Sequence, residues 1–292
     1  MPTNEQRRAT AQRKLERQLA NRAKATRRRK QLTIGASALG VVVAVAAGVG
    51  IYFLTKSDDN SSTAAASTTS PDASLSSAPP PAAKAKPASV SCEYRDAKAP
   101  ASKPVSKPGT DNISTAGQVK ATIDTSQGAI PITLNPGESP CTVNSFESLA
   151  NQKFFDNTSC HRMTTSKGLK VLQCGDPTGA GTGGPGYQFD NEYPTDQYAP
   201  TDQAAQYPVA YKRGVLAMAN AGPDQTDGKG TNGSQFFLVY GDSQLPPQYT
   251  IFGTIDDAGL ATLDKIAKAG VQGGGQDGKP ALDVNISAVQ IN

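Results

Sequence analysis

Asn232-Gly233-Ser234-Gln235-Phe236-Phe237, with the earlier run Met218-Ala219-Asn220-Ala221-Gly222-Pro223, decides how this chain reads. Side chains alternate along a strand, so Phe236 and Phe237 must face opposite ways, one into a core and one toward a pocket. Small Ala and Gly backbone surrounds two side-chain amides, Asn220 and Gln235. Further upstream the only histidine of the chain, His161, precedes Arg162, and Gln173 follows. One arginine, two or three amides and an apolar wall can hold a peptide and polarise an amide. The set has no nucleophile–base pair, no phosphate loop and no metal cluster. Peptide cleavage is therefore not expected, and neither a cofactor nor a metal is called for. His161 reads as structural.

Around these runs the pattern is that of short strands. Val119 to Asp124 alternates, Ser126-Gln127-Gly128 is a turn, and Ala129 to Leu134 alternates again, which predicts a hairpin. Pro131 marks an edge or bulge position. Thr142 is a helix cap, with Val143, Phe146 and Leu149 on one face of a helix to about Ala150. Strands are expected near 160–164, 171–174, 215–218, 235–239 and 250–254, and a second helix from Leu260 to Ala269, stopped by Gly270. Val284, Ile286 and Ala288 alternate in a last strand. The expected fold is mainly β: a closed antiparallel barrel with two helices as lids, spanning 119–292.

The net charge of +4 conceals an asymmetry. Residues 1–30 hold eleven Lys and Arg against Glu5 and Glu16, whereas residues 119–292 carry eleven basic and seventeen acidic side chains. The folded part is acidic, so nucleic acid is not a favoured partner. Residues 32–54 carry no charge. A helix of that length, at ~1.5 Å per residue, crosses the ~30 Å hydrocarbon layer. Arg27-Arg28-Arg29-Lys30 abuts it, so the positive-inside rule puts the head (1–31) in the cytoplasm and everything after Leu54 outside. A single-pass cell-membrane protein is expected, with anionic lipids as partners of residues 1–30. A cleaved signal peptide is the rival, but its apolar core would be ~7–15 residues. Residues 55–118, rich in Ser, Thr, Ala and Pro, have too few large apolar groups for a core and read as a disordered linker.

Four cysteines, Cys92, Cys141, Cys160 and Cys174, fall on the exported side. An even count there favours disulfides. Three pairings exist. Cys160–Cys174 is preferred because it would bracket a hairpin, with Cys92–Cys141 pinning the end of the linker to the first helix.

Several runs, in order, resemble the cyclophilin family of peptidyl-prolyl cis-trans isomerases: Pro140-Cys141-Thr142-Val143-Asn144-Ser145-Phe146, His161-Arg162, Gln173-Cys174-Gly175-Asp176, Gly181-Thr182-Gly183-Gly184, the two opening runs, and Phe252-Gly253. With anchor and linker, the whole resembles the membrane-tethered cyclophilins of actinobacteria. The resemblance implies a closed eight-stranded antiparallel β-barrel capped by two helices, with Arg162 as the catalytic arginine and Gln173 as its orienting partner. It implies that Ala219, Asn220 and Ala221 form the rail under the substrate and that Gln235 binds it further. Phe237, Leu245, Val171 and Tyr249 become pocket walls, and Gly181 lies beside the residue preceding proline. The implied partners are proline-containing segments of unfolded or envelope proteins.

The chain also departs from that pattern. Three extra residues separate Arg162 from Gln173, and the usual Phe-Met pair falls on Lys170 and Val171 unless Leu169 takes the place of Lys170. Tyr249 replaces a His and Gln244 a Trp. These changes bear on proline affinity, turnover and cyclosporin sensitivity, and they motivate the alternative of an inactive peptide-binding domain. Asp224 to Lys229 is an added loop. Its Asp-x-x-Asp-Gly spacing could suggest calcium, but a solvated turn is the reading adopted.

Overall fold

The computed structural model describes residues 77–199 and 201–292. In chain order its elements are β1 (Ser89–Val90), β2 (Arg95–Asp96), β3 (Ile113–Ser114), β4 (Val119–Thr125), β5 (Gly128–Leu134), α1 (Pro140–Asn151), β6 (Thr158–Ser159), β7 (Arg162–Ser166), β8 (Leu169–Cys174), β9 (Tyr187–Gln188), β10 (Val209–Tyr211), β11 (Val215–Met218), β12 (Phe236–Gly241), β13 (Ser243–Leu245), β14 (Ile251–Ile255), α2 (Asp257–Ala269), β15 (Asp277–Gly278) and β16 (Asn285–Ile291).

β4 and β5 form the expected hairpin, from Val119 opposite Leu134 to Thr125 opposite Gly128. Pro131 breaks no ladder. Its carbonyl accepts from Asp256 N at 3.0 Å, on the side where the β14 ladder has already ended at Ile132. α1 starts two residues before Thr142, with Ser139 at the N-cap position and Pro140 in the first turn. The cap comes from elsewhere. Glu192 accepts from Cys141 N at 3.1 Å and from Thr142 N and Oγ1 at 2.8 and 2.7 Å. A carboxylate there satisfies orphan N–H groups and meets the positive end of the helix. α2 likewise begins before Leu260. A Cβ on Gly259 would come within 2.8 Å of Ile255 and 3.0 Å of Ile130, so only glycine lets the first turn lie this close to the sheet.

The main sheet has ten strands in the order β15-β7-β8-β12-β11-β14-β5-β4-β16-β6. This corrects the closed eight-stranded barrel: the sheet curls but stays open, because among the described residues no ladder joins its ends. The end strands β15 and β6 have two residues each, too few for a seam. The chain itself crosses instead. β6, at one end of the order, and β7, next to the strand at the other end, are separated only by Cys160 and His161. Alternation reports which face a residue takes, not whether the first and last strands meet.

Three neighbouring strands set the two apolar regions. From β8, β12 and β11, the residues Leu172, Cys174, Phe236, Leu238, Leu216 and Met218 enter the large core, where the Phe236 ring meets Phe146 at 5.5 Å and Phe155 at 5.7 Å. Burying a phenylalanine of this kind contributes about 2–3 kcal/mol. The alternate residues, Val171, Phe237, Val239 and Ala217, form a second cluster on the other face.

Composition puts residues 77–118 in the linker, yet this stretch is built into the domain. β1 pairs with β3 and β2 with β9. Cys92 and Tyr94 are buried. The Tyr94 ring stands edge-on to Tyr187 and Phe189, and its hydroxyl donates to Cys141 O at 2.7 Å. One tyrosine, one cysteine, two valines and an isoleucine suffice to dock such a strap on an existing core, and averaged composition cannot register them. Both preferred disulfides are present, Cys92–Cys141 and Cys160–Cys174. Among the described residues no helix is long and apolar enough to cross a membrane. The segment expected to do so, 32–54, the head before it and the linker up to 76 lie outside the described residues.

Candidate active site

The ladder registers place Arg162 opposite Gln173, Gln173 opposite Phe237, and Phe237 opposite Ala217. Direct partners in adjacent strands share a face. Four strands thus present cation, amide, aromatic and small residue in one row on the face away from the large core. Beside this row is a cavity of about 230 Å³ lined by Arg162, Leu169, Val171, Gln173, Ala219, Asn220, Phe237, Leu245 and Tyr249. Tyr249 packs edge-on to Phe237 with centroids 5.8 Å apart.

Alternation also resolves the departures. Leu169 and Val171 face the cavity, whereas Lys170 projects beside Gly241 on β12 and donates its backbone N–H to Ser243 Oγ at 2.9 Å. Leu169 thus takes the wall position that Lys170 vacates. Gln244 pairs with Ala210 on β10 and does not line the cavity.

A polar chain runs along the rim. Arg162 Nη1 donates to Gln173 Oε1 at 3.1 Å, Gln173 Nε2 to Gln235 Oε1 at 2.9 Å, and Gln235 Nε2 to Gly183 O at 3.1 Å. Sequence reasoning missed the other end of it: Asp277 accepts from Arg162 Nε at 2.8 Å and Nη2 at 2.7 Å. Those bonds hold the Arg162 guanidinium above its usual pKa and Asp277 below the usual carboxylate range. A separation of 115 residues hides such a pair from any local pattern.

Ala219, Asn220 and Ala221 form a continuous edge. Ala219 N donates to Gln235 O at 2.9 Å and Ala221 N to Thr231 Oγ1 at 3.0 Å. The Asn220 side chain is spent on the protein: Nδ2 donates to Asn191, Asn232 and the Gln248 carbonyl, and Oδ1 accepts from Gly222 N. Its part is to shape the edge. A second cavity of about 240 Å³ adjoins the first across Gln173, Ala219 and Asn220, and takes in Ala221, Gln235, Thr182 and Gly183 with Ala97, Ala99 and Pro100 of the strap. Gly181 is not brought to either cavity. It sits against His161 at φ +81°, one residue outside the lining, with its N–H on Asp176 at 2.6 Å. Asp176 organises that turn. Burial raises its pKa, but hydrogen bonds, those from Thr178 and Gly181 among them, outweigh burial and hold it below the ordinary value. His161 lies next to the turn and finds no hydrogen-bond partner for either ring nitrogen among the described residues. Burial lowers its pKa. The added loop is a turn: Asp224 accepts from Lys98 and Thr226 N, and Asp227 from Lys229 N.

Comparison with known proteins agrees with this geometry. Residues 120–291 match the model of the cyclophilin type peptidyl-prolyl cis-trans isomerase/CLD family. The chain is 57% identical to the probable peptidyl-prolyl cis-trans isomerase B of Mycobacterium leprae, over 100% of both chains. It is 55% identical to that of Mycobacterium tuberculosis, over 100% of this chain and 95% of the relative. Peptidyl-prolyl cis-trans isomerase B of Streptomyces anulatus is 35% identical and is 98% covered by only 60% of this chain. With the row of Arg162, Gln173 and Phe237 in place, the match over most of the folded part shows that this chain belongs to the cyclophilin-type peptidyl-prolyl cis-trans isomerases.

Proposed function

We propose that the domain accelerates cis–trans exchange about X–Pro bonds by holding the proline ring in the cavity of Phe237, Leu245, Val171, Leu169 and Tyr249 while Arg162 addresses the imide nitrogen. Rotation crosses a barrier of ~18–20 kcal/mol set by amide resonance. At the twisted transition state the nitrogen turns pyramidal and regains its lone pair. A donor aimed at that lone pair binds the transition state more strongly than either ground state. The observation that carries the reading is that one cavity is lined by both Arg162 and Phe237, with Gln173 bonded to the guanidinium between them. No proton transfer is needed, and an arginine that stays charged supplies a donor in a fixed direction.

The test is exchange of an Ala-Pro-containing tetrapeptide, followed with and without the protein. Wild type should accelerate exchange and Arg162→Ala should fall by ~10²–10³-fold, the usual cost of losing one pre-aimed donor. Equal acceleration by both proteins refutes the assignment. Saturable peptide binding without acceleration by wild type would instead favour a scaffold domain. Of the three features that motivated that alternative, Lys170 and Gln244 do not line the cavity, whereas Tyr249 does.

The same reading places the domain outside the membrane, tethered through residues 32–54 with the basic head in the cytoplasm and its clients among secreted or envelope proteins. The uncharged stretch, the arginine cluster before it and two disulfides in the domain support this, since disulfides persist in oxidising compartments. Protease added to intact cells should remove the C-terminal domain and leave a cytoplasmic N-terminal tag protected. Full protection of the domain would overturn the placement.

A further inference from the structure

We infer that Asp277 is a positioning residue for the isomerisation, fixing the direction of the Arg162 fork at the rim of the cavity. The inference rests on the isomerase reading above. A guanidinium has five N–H donors. Asp277 takes Nε–H and one on Nη2, and Gln173 takes one on Nη1. Five less three leaves two, one on each terminal nitrogen, and the plane that carries them is fixed by bonds on two of its edges.

The geometry is stricter than an ordinary surface pair. Both side chains are well exposed, 40% for Arg162 and 55% for Asp277, so the ion pair adds little to the stability of the fold. What two parallel bonds supply in that setting is direction. A free arginine side chain on a strand edge would sweep through water and address the imide nitrogen only part of the time. The carboxylate also weakens the positive field at the cavity, so its benefit to the reaction must come through orientation. Its place in the chain fits that purpose. Asp277 follows Gly273-Gly274-Gly275-Gln276, and β15 is a two-residue strand whose ladder sets Asp277 opposite Thr164 and Gly278 opposite Met163, two residues and one residue along β7 from Arg162. The strand is just long enough to bring one carboxylate to one guanidinium.

The experiment measures kcat/KM and peptide affinity for the full-length chain, with an Ala-Pro tetrapeptide, in wild type, Arg162→Ala, Asp277→Ala, Asp277→Asn and the double variant Arg162→Ala/Asp277→Ala. Asp277→Ala should lower kcat/KM about tenfold, as misdirection of a catalytic group does, with peptide affinity unchanged. Asp277→Asn keeps one acceptor oxygen and should fall between; it carries the test if the alanine variant does not fold. In the Arg162→Ala background, Asp277→Ala should have no further effect, since it acts only through that arginine. Wild-type activity in Asp277→Ala beside a crippled Arg162→Ala overturns this inference alone. So does a further tenfold loss in the double variant. A fully active Arg162→Ala protein overturns the isomerase reading itself.

Discussion

Arg162 and Gln173 face each other as direct partners in the β7/β8 ladder, and the arginine Nη1 donates to the glutamine Oε1 across that rung at 3.1 Å. The backbone register, not side-chain chance, makes this contact. Gln173 also donates to Gln235, so it holds the guanidinium at one oxygen while its own amide is anchored at the nitrogen.

Gln173→Leu removes both bonds at nearly constant volume. kcat/KM for an Ala-Pro peptide should drop about tenfold, the scale of a modest misorientation, with little change in peptide affinity. Arg162→Lys should be worse, about a hundredfold, because an ammonium is a point charge without a fork. If lysine proves as active as arginine, direction is irrelevant and only charge matters.

Adjacent phenylalanines should behave oppositely. Phe236 is in the large core and Phe237 in the cavity cluster. Phe236→Leu should cost about 1–1.5 kcal/mol of stability, as core shape changes do, and leave the activity of the folded protein near wild type. Phe237→Leu should weaken peptide binding severalfold. Denaturant melts together with kcat/KM separate the two, and the same loss profile for both would contradict the alternation.

The two disulfides should differ in their contribution. The chain-entropy model gives about 4 kcal/mol for the bridge closing a separation of 49 residues and about 3 kcal/mol for the one closing 14. Replacing Cys92 and Cys141 by serine should therefore lower the guanidinium midpoint more than replacing Cys160 and Cys174. It should also loosen the strap carrying Ala97, Ala99 and Pro100 at the second cavity. The reverse order would mean that native-state packing, not loop closure, governs these bridges.

His161 is the only histidine, and burial, the largest cause, depresses its pKa. The unfolded chain therefore takes up a proton near pH 6.5 before the folded chain does, and unfolding binds protons in the window just below that pH. Its stabilising contribution is complete above pH 6.5 and declines as the pH falls through that window toward the folded value. Several glutamates, Glu192 among them, are raised by burial and act in the opposite sense. Comparing Tm of wild type and His161→Gln between pH 5 and 7 isolates the histidine: the wild type should lose more on acidification. Parallel curves would show that His161 is protonated equally in both states.

Much of the site was legible because it is local. Gln235-Phe236-Phe237 and Leu169 to Gln173 alternate, and alternation assigns faces before any partner strand is known. The strap at 88–118 was not legible, since a handful of buried side chains in Ala- and Pro-rich chain do not alter its average composition. Gly181 lies one residue outside the cavity lining, in a turn organised by a buried carboxylate that accepts from the Gly181 and Thr182 N–H groups, an arrangement no local pattern announces.

Sequence alone determined the strand and helix types, the amides, arginine and aromatic of the site, the preferred cysteine partners, and the uncharged stretch at 32–54. Each depends on residue type or on short-range periodicity. Only the tertiary structure decided that the sheet stays open, that Glu192 caps α1, that Leu169 replaces Lys170 at the cavity wall, and that Asp277 holds Arg162. These depend on which distant segments come together, and a side chain reaching across 50 or 115 residues leaves no period in the chain that carries it.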